Sequence, residues 1–329
     1  MFIYNDFLLS EILYYKIGGK AKVLLKIEKK EDLFQALDFI KKEKTKKILP
    51  LGLGSNILIN DKFFDGVVLW FSMYQAVPGR VQSSGIKLID DNVIEAFASE
   101  DLDDLIKFSF KNNLLGLEWA GGLPSTIGGA VRGNVGAFGG EIAGCVDAVE
   151  VFEVGQDGRF DRKLLKASEL EFGYRDSLIK RSKDLLVVSA TFKLQKASKE
   201  DIEKAKEVYQ GHIEYRNKNH PMEYPSCGSV FKNVIKKEEV GKILNVWGDV
   251  KDLVENKWYN KASMGYIIDR LGFSGFAIGG AKVSEKHANY IVNFDNAKFS
   301  DVYSIIEKIK EKFYETFGFY PDPEVQIVS

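Results

Sequence analysis

At 329 residues and 45% hydrophobic content, the chain is too long for one typical core and is expected to form two or three globular domains. Its 46 Lys plus Arg against 47 Asp plus Glu give no reason to expect a nucleic-acid partner or an acidic membrane surface. Two cysteines, Cys145 and Cys227, are too few for a disulfide framework and have no zinc-ligand spacing with His212, His220 or His287, so no metal is expected. No segment approaches membrane-spanning length, and residues 1–19 lack the basic region of a secretory signal, so the cytoplasm is the expected compartment.

Taken in order, residues 21–27 alternate into a strand, 29–44 read as an amphipathic helix with Leu33, Ala36, Leu37 and Ile40 on one face, and 48–51 close a βαβ unit. Residues 66–71, 86–90 and 93–98 are expected strands, and 101–112 a helix capped by Ser99 or Asp101. Residues 121–141 read as a long glycine loop. Strands at 146–154 and 185–194 then bracket the polar segment LEFGYRDS, and 198–216 is a highly charged helix and a candidate domain boundary. The remainder holds GSVFKN, a helical ASMGYIIDRLG segment, strands at 281–283 and 290–293, and a final helix over 302–317.

Two glycine segments carry the strongest functional signal. In residues 121–141, GGLPSTIGGAVRGNVGAFGGE, eight of twenty-one residues are glycine, a density expected to abolish ordinary helix or strand stability. Glycine suits positions where the backbone needs positive φ or must approach another group closely, leaving main-chain N–H donors for a phosphate. Ile127, Ala130, Val131, Val135 and Phe138 are apolar anchors that a solvated linker would not carry. The second segment places Gly52, Leu53, Gly54, Ser55 and Asn56 directly after the strand-like run 47–51. Neither segment ends in Gly-Lys-Ser/Thr or opens a helix with Gly-x-Gly-x-x-Gly, which excludes the P-loop and the Rossmann fingerprint.

Three further clusters carry chemistry. In FGYRDS, Arg175 between Tyr174 and Asp176 suits a carboxylate or phosphate, with a surface ion pair to Asp176 as the equal alternative. In PSCGSVFKN a turn presents Ser229 and Lys232, a pattern that ordinary turn chemistry also explains. In PDPEV two prolines stiffen the backbone that presents Glu324. His287 reads as a structural histidine.

Read in order, YYKIGGKA, LGLGSNILI, the 121–141 stretch, FGYRDS, PSCGSVFKN, GYIIDRLGFSGFAIGGAKVSEKHANYIVN and FGFYPDPEV resemble the UDP-N-acetylenolpyruvoylglucosamine reductase family over nearly the whole chain. The resemblance implies an α+β fold: a two-subdomain FAD-binding module of the vanillyl-alcohol oxidase type (1–71 and 72–198) and a C-terminal α+β substrate domain (199–329). It implies non-covalent FAD, reduced by NADPH, passing hydride from flavin N5 to UDP-N-acetylglucosamine enolpyruvate to give UDP-N-acetylmuramate for peptidoglycan. Arg175, Ser229 and Glu324 match the family's catalytic positions, Ser229 as proton donor. Gly52, Leu53, Gly54, Ser55, Asn56, Gly121, Gly122, Ser125, Thr126, Gly128, Gly129, Asn134, Gly136 and Ala137 would hold FAD, and Tyr174, Lys232 and Asn233 the substrate. The chain departs from the family pattern at Ser125 (glycine), Val234 (proline), Asn219 (a basic residue, with Lys218 one place earlier) and Asp322-Pro323. Another FAD oxidoreductase on the same fold, such as an alcohol or sugar oxidase, and a non-catalytic flavin- or nucleotide-binding protein are the alternative readings.

Overall fold

The alternating run KAKVLLKI buries Ala21, Leu24, Leu25 and Ile27 along Lys20–Ile27 and makes the first inner strand of a sheet. The helix that follows, Lys30–Glu43, turns Leu33, Ala36, Leu37 and Ile40 to the core. Its first turn is closed by Asp32, whose carboxylate accepts the Glu28 and Lys29 amides at 3.1 and 3.2 Å and pairs with the N-terminal ammonium at 2.7 Å. The expected βαβ unit forms with one addition: Phe64–Phe71 lies between Lys20–Ile27 and Ile48–Leu51 and runs parallel to both.

The computed structural model describes residues 1–45, 47–72, 85–155, 159–182 and 184–329. The chain divides into two units: Met1–Phe7, Ala21–Leu53 and Phe64–Arg216 make the first, and Leu8–Lys20, Gly54–Phe63 and Asn217–Ser329 the second. The first unit carries the four-stranded sheet just described, edged by Phe2–Leu8, and an antiparallel five-stranded sheet. The latter runs in the order Phe160–Lys166, Val146–Val154, Leu185–Lys193, Val93–Phe97, Ile86–Asp90. The charged helix Lys199–Asn219 contributes to this unit as far as Arg216, because Ile202, Ala205 and Tyr209 pack into its core.

In the second unit a four-stranded antiparallel sheet, Ser226–Ser229, Tyr290–Asn293, Ala281–Val283, Ala277–Ile278, is accompanied by the helices Lys237–Val246, Met264–Arg270 and Phe299–Phe317. Its core includes Phe231, Ile267, Ile305 and Phe313 together with three residues from earlier in the chain, Tyr15, Ile17 and Leu58. Tyr15 is fully buried and donates its hydroxyl to the Ile291 carbonyl at 2.7 Å. Such burial needs a partner for the hydroxyl.

Four of the described elements that sequence patterning misses show why it does so. The strands Phe2–Leu8 and Phe160–Lys166 are almost wholly exposed, so neither shows an apolar alternation. The helix Lys237–Val246 buries only Val240 and Ile243. The fourth, Ile127–Gly133, corrects the reading of 121–141 as all loop: a seven-residue helix forms inside it.

Asp101 caps the helix Leu102–Lys111 by accepting the Asp103 amide at 2.8 Å. Burial pushes its carboxyl up to about 6, with Asp103 and Asp104 adding to the effect. The folded state therefore holds this proton more tightly than the unfolded chain, and the stability it contributes is lost as pH rises between the unfolded value near 3.8 and about 6. Asparagine caps equally well. Asp101→Asn is thus expected to raise Tm relative to the parent above pH 6 and not below pH 4; a difference independent of pH would contradict this.

Candidate active site

The 121–141 stretch resolves into three pieces, each with a physical reason for its glycines. Gly121 and Gly122 form an approach in which a Cβ on Gly121 would collide with the Tyr209 carbonyl and Gly122 takes φ +71. Ser125 follows, its hydroxyl donating to the Thr126 carbonyl at 2.9 Å. Thr126 then caps the helix Ile127–Gly133, accepting the Gly129 amide at 3.3 Å, while Ile127, Ala130 and Val131 are fully buried. Burial of three apolar side chains plus the cap, typically worth about 1 kcal/mol, outweighs the poor helix propensity of three glycines.

Beyond the helix, Asn134 ends it in a left-handed conformation (φ +42), and Gly136–Ala137 pairs with Gly140–Glu141 as a hairpin. Phe138 (φ +49) and Gly139 (φ +88) make its two-residue turn with both φ positive. Phe138 is 42% exposed, so it is not a core anchor. Its ring stacks on His212 at 3.8 Å and lies under the Arg216 guanidinium at 5.3 Å. Arg216 is buried and its Nε donates to the Gly121 carbonyl at 3.0 Å. This ties both ends of the stretch to one helix, a role the charged pattern of residues 198–216 conceals.

The first-turn amides of the 127–133 helix are committed within the fold: Ile127 donates to the Glu100 carbonyl (2.8 Å), Gly128 to Ala98 (3.0 Å) and Gly129 to Thr126. Gly128 is a close-packing glycine, since a Cβ there would stand 3.2 Å from that of Ala98. The other glycine segment meets this one directly, because a Cβ on Gly52 would collide with Thr126 Oγ1. Gly52 and Leu53 and the half-buried loop 122–125 before the helix therefore offer main chain with little side-chain bulk and the Ser125 hydroxyl. That is the donor chemistry a dinucleotide pyrophosphate takes, so the residues fit FAD.

Arg175 sits at the third position of a tight turn in which Gly173 and Asp176 exchange both backbone hydrogen bonds at 3.0 Å. Its φ of +54 is unusual for a side chain of this size and costs roughly 1–2 kcal/mol. The guanidinium folds over Gly136, donates to the carbonyls of Gly136 and Asn134 and lies 4.0 Å from Glu141 and 5.2 Å from the Tyr174 ring. Asp176, the alternative partner expected from the sequence, pairs with Arg181. Asn134 is what holds this turn: buried, it donates to the Gly173 carbonyl at 2.8 Å and to Glu141 at 3.1 Å, and accepts the Ala143 amide at 3.2 Å. Its side chain is thus engaged with protein on every polar atom.

In the second unit, Gly54 (φ +69) turns the chain against Leu13, and Ser55 and Asn56 lead into Ile57–Ile59, which pairs in parallel with Gln326–Val328. Asn56 accepts the Gln326 amide on its carbonyl at 3.1 Å and donates from Nδ2 to the Glu324 carbonyl at 3.4 Å. The Ser229 segment meets the same strand from the other side: Glu324 donates its amide to the Val230 carbonyl (2.7 Å), Lys232 donates to Asp322 (2.9 Å), and Phe231 bridges Pro323. Ser229 and Glu324, 95 residues apart by number, are thereby on adjacent backbone segments. Asn233 accepts the Met264 amide on Oδ1 at 3.0 Å and so caps the helix Met264–Arg270.

Cys227, two residues before Ser229, is buried against Tyr15; burial pushes its thiol up to about 12, and the charge of Glu324 adds to this. Burial raises Cys145 to about 12 as well. Burial holds His287 below its usual range, and its Nδ1 accepts the Asn289 amide at 3.3 Å. Among the described residues no three His, Cys, Asp or Glu side chains form a metal-holding group, and no helix is long and apolar enough to cross a membrane.

A family model described as an FAD binding domain matches residues 21–160, and one described as the C-terminal domain of UDP-N-acetylenolpyruvoylglucosamine reductase matches residues 220–328. The fold and its glycine-lined surface thus define an α+β FAD-binding protein. The chain is 32% identical to the UDP-N-acetylenolpyruvoylglucosamine reductase of Caldanaerobacter subterraneus subsp. tengcongensis over 96% of this chain and 90% of that one. It is 33% identical to the enzyme of that name from Thermotoga maritima over 95% and 94%. The crystal structure of UDP-N-acetylenolpyruvylglucosamine reductase from Thermus caldophilus superposes with a TM-score of 0.70 at 26% identity, covering all of both chains. The chain belongs to the UDP-N-acetylenolpyruvoylglucosamine reductase family.

Because thiolate, not thiol, is alkylated, iodoacetamide at pH 8 is expected to leave both cysteines unmodified in the native protein while labelling both after denaturation. Rapid native labelling at Cys227 would contradict the buried contact with Tyr15.

Proposed function

We propose that the protein reduces the enolpyruvyl ether of UDP-N-acetylglucosamine enolpyruvate to UDP-N-acetylmuramate, with NADPH as electron donor, in the cytoplasmic stage of peptidoglycan precursor synthesis. The observation that carries this reading, beside family membership, is the ladder that makes Ser229 and Glu324 neighbours through the 2.7 Å bond from the Glu324 amide to the Val230 carbonyl. A hydroxyl and a carboxylate held on adjacent rigid backbones suit protonation of a carbon next to a carboxylate.

FAD, when bound, supplies the hydride chemistry that side chains lack, accepting it from the nicotinamide and returning it to the enol ether. Gly52, Leu53, Gly54, Ser55, Asn56, Gly121, Gly122, Ser125 and Thr126 would hold it through main-chain groups and small hydroxyls. Gly128 acts by letting the helix pack closely against Ala98, Gly129 would leave exposed main chain open to the cofactor, and Asn134, Gly136 and Ala137 act by shaping the hairpin under Arg175. Reduction at the β-carbon of the enol ether leaves negative charge on the adjacent carbon and its carboxylate. Arg175 binds that carboxylate through its planar fork and stabilises the enolate-like form. Glu324 helps to hold that form in place, donating a hydrogen bond to the same group when its carboxyl carries a proton. Ser229 Oγ gives its proton to the adjacent carbon. A serine hydroxyl is a weak acid, so this transfer needs a site from which water is excluded, where the developing carbanion is the stronger base. Lys232, Asn233 and Tyr174 contact the nucleotide sugar.

Ser229→Ala tests the assignment. Reoxidation of reduced FAD by the enolpyruvyl substrate is expected to slow by on the order of 100- to 10,000-fold, with reduction by NADPH unchanged. Equal loss of both half-reactions in stopped flow, or loss of neither, would remove Ser229 from its role.

A further inference from the structure

The segment from Ser229 to Lys232 is gripped from two sides. One is the 322–325 backbone described above. The other is a single side chain, Asn289, 3% exposed. Its Oδ1 accepts the Phe231 amide at 3.0 Å, its Nδ2 donates to the Phe231 carbonyl at 2.8 Å, and its own main-chain carbonyl accepts the Val230 amide at 2.8 Å. A carboxamide that engages both the N–H and the C=O of one residue does the work of a neighbouring strand. It does so where such a strand is missing, since the regular pairing of Ser226–Ser229 with Tyr290–Asn293 ends at Ser229 opposite Tyr290.

On the other side of Ser229 stands Gly228, with φ +75, a conformation that gives the chain a permissive joint. Ser229 thus has a glycine joint before it and the Asn289 clamp after it. The Val230 carbonyl, one bond sequence away from the clamp, is the acceptor for the Glu324 amide.

We propose that Asn289 is a positioning residue for the reaction: it fixes the Val230–Phe231 backbone and, through it, the mutual placement of the Ser229 hydroxyl and Glu324. This rests on the reading of Ser229 as proton donor and Glu324 as its partner at the substrate. Both polar atoms of the buried Asn289 side chain are committed to Phe231, so it acts through the backbone. Its effect falls on protonation of the substrate and not on electron entry from the nicotinamide.

The test uses the full-length, FAD-loaded protein and the isosteric Asn289→Asp, which keeps an acceptor for the Phe231 amide but sets an acceptor against the Phe231 carbonyl. Reduction by NADPH should stay within about twofold of the parent, while reoxidation by UDP-N-acetylglucosamine enolpyruvate slows at least about tenfold, towards the order of 100-fold that a misplacement near 1 Å costs. In a Ser229→Ala background the same change should add less than about twofold, because two residues acting as one unit are not additive. Unchanged reoxidation, an equal fall in both half-reactions, or multiplying effects would overturn the proposal. A parent protein that fails to reoxidise with the substrate would instead overturn the functional reading. Amide exchange of the parent gives an answer even where the variant does not fold. Phe231 N–H should be protected as strongly as Ile291 and Val292, and exchange as fast as in an exposed loop would overturn the clamp.

Discussion

The hydrogen bond from the Glu324 amide to the Val230 carbonyl, 2.7 Å long, is the constraint on which the second unit's chemistry depends. It joins the last stretch of chain to the segment that follows Ser229, and the parallel pairing of Gln326–Val328 with Ile57–Ile59 carries the same strand on to the loop at Gly54, Ser55 and Asn56. A serine, a carboxylate and a glycine turn are therefore referenced to one backbone. Backbone ladders resist displacement better than side-chain contacts between exposed groups. The two prolines flanking Asp322 stiffen the approach to Glu324 further.

Three asparagine side chains each hold a backbone carbonyl in these segments. Asn134 holds the Arg175 turn through the Gly173 carbonyl, Asn56 holds the Glu324 carbonyl, and Asn289 holds Phe231. A short carboxamide offers donor and acceptor at one point without adding charge, and Asn also tolerates the left-handed conformation that Asn134 adopts. Arg175 is strained in that same region of conformational space, with its guanidinium bound to two carbonyls that Asn134 and the hairpin orient.

Much of the fold is legible in the sequence because apolar spacing reports it. Leu33, Ala36, Leu37 and Ile40 announce their helix, and the strands at Val146–Val154 and Leu185–Lys193 are runs of buried residues. The helix Ile127–Gly133 is hidden because glycine propensity argues against it, while its stability comes from a threonine cap and from tertiary burial. The strand Phe160–Lys166 is hidden because an exposed edge needs no alternation. Among the residues proposed for the reaction, Ser229, Glu324 and Arg175 stand out in the sequence by their proline- or glycine-flanked settings and by the family resemblance. Asn289 and Arg216 do not: one acts on a residue 58 positions away, the other on one 95 positions away, and no local pattern encodes such a contact.

The proposed reaction carries electrons from a nicotinamide to an enolpyruvyl nucleotide sugar. The direct measurement is anaerobic: the full-length FAD-loaded protein is bleached with one equivalent of NADPH and then mixed with UDP-N-acetylglucosamine enolpyruvate. The oxidised flavin absorbance is expected to return with stoichiometric UDP-N-acetylmuramate. Bleaching that reverses only when oxygen is admitted would contradict it and make the protein a different flavoenzyme on the same fold.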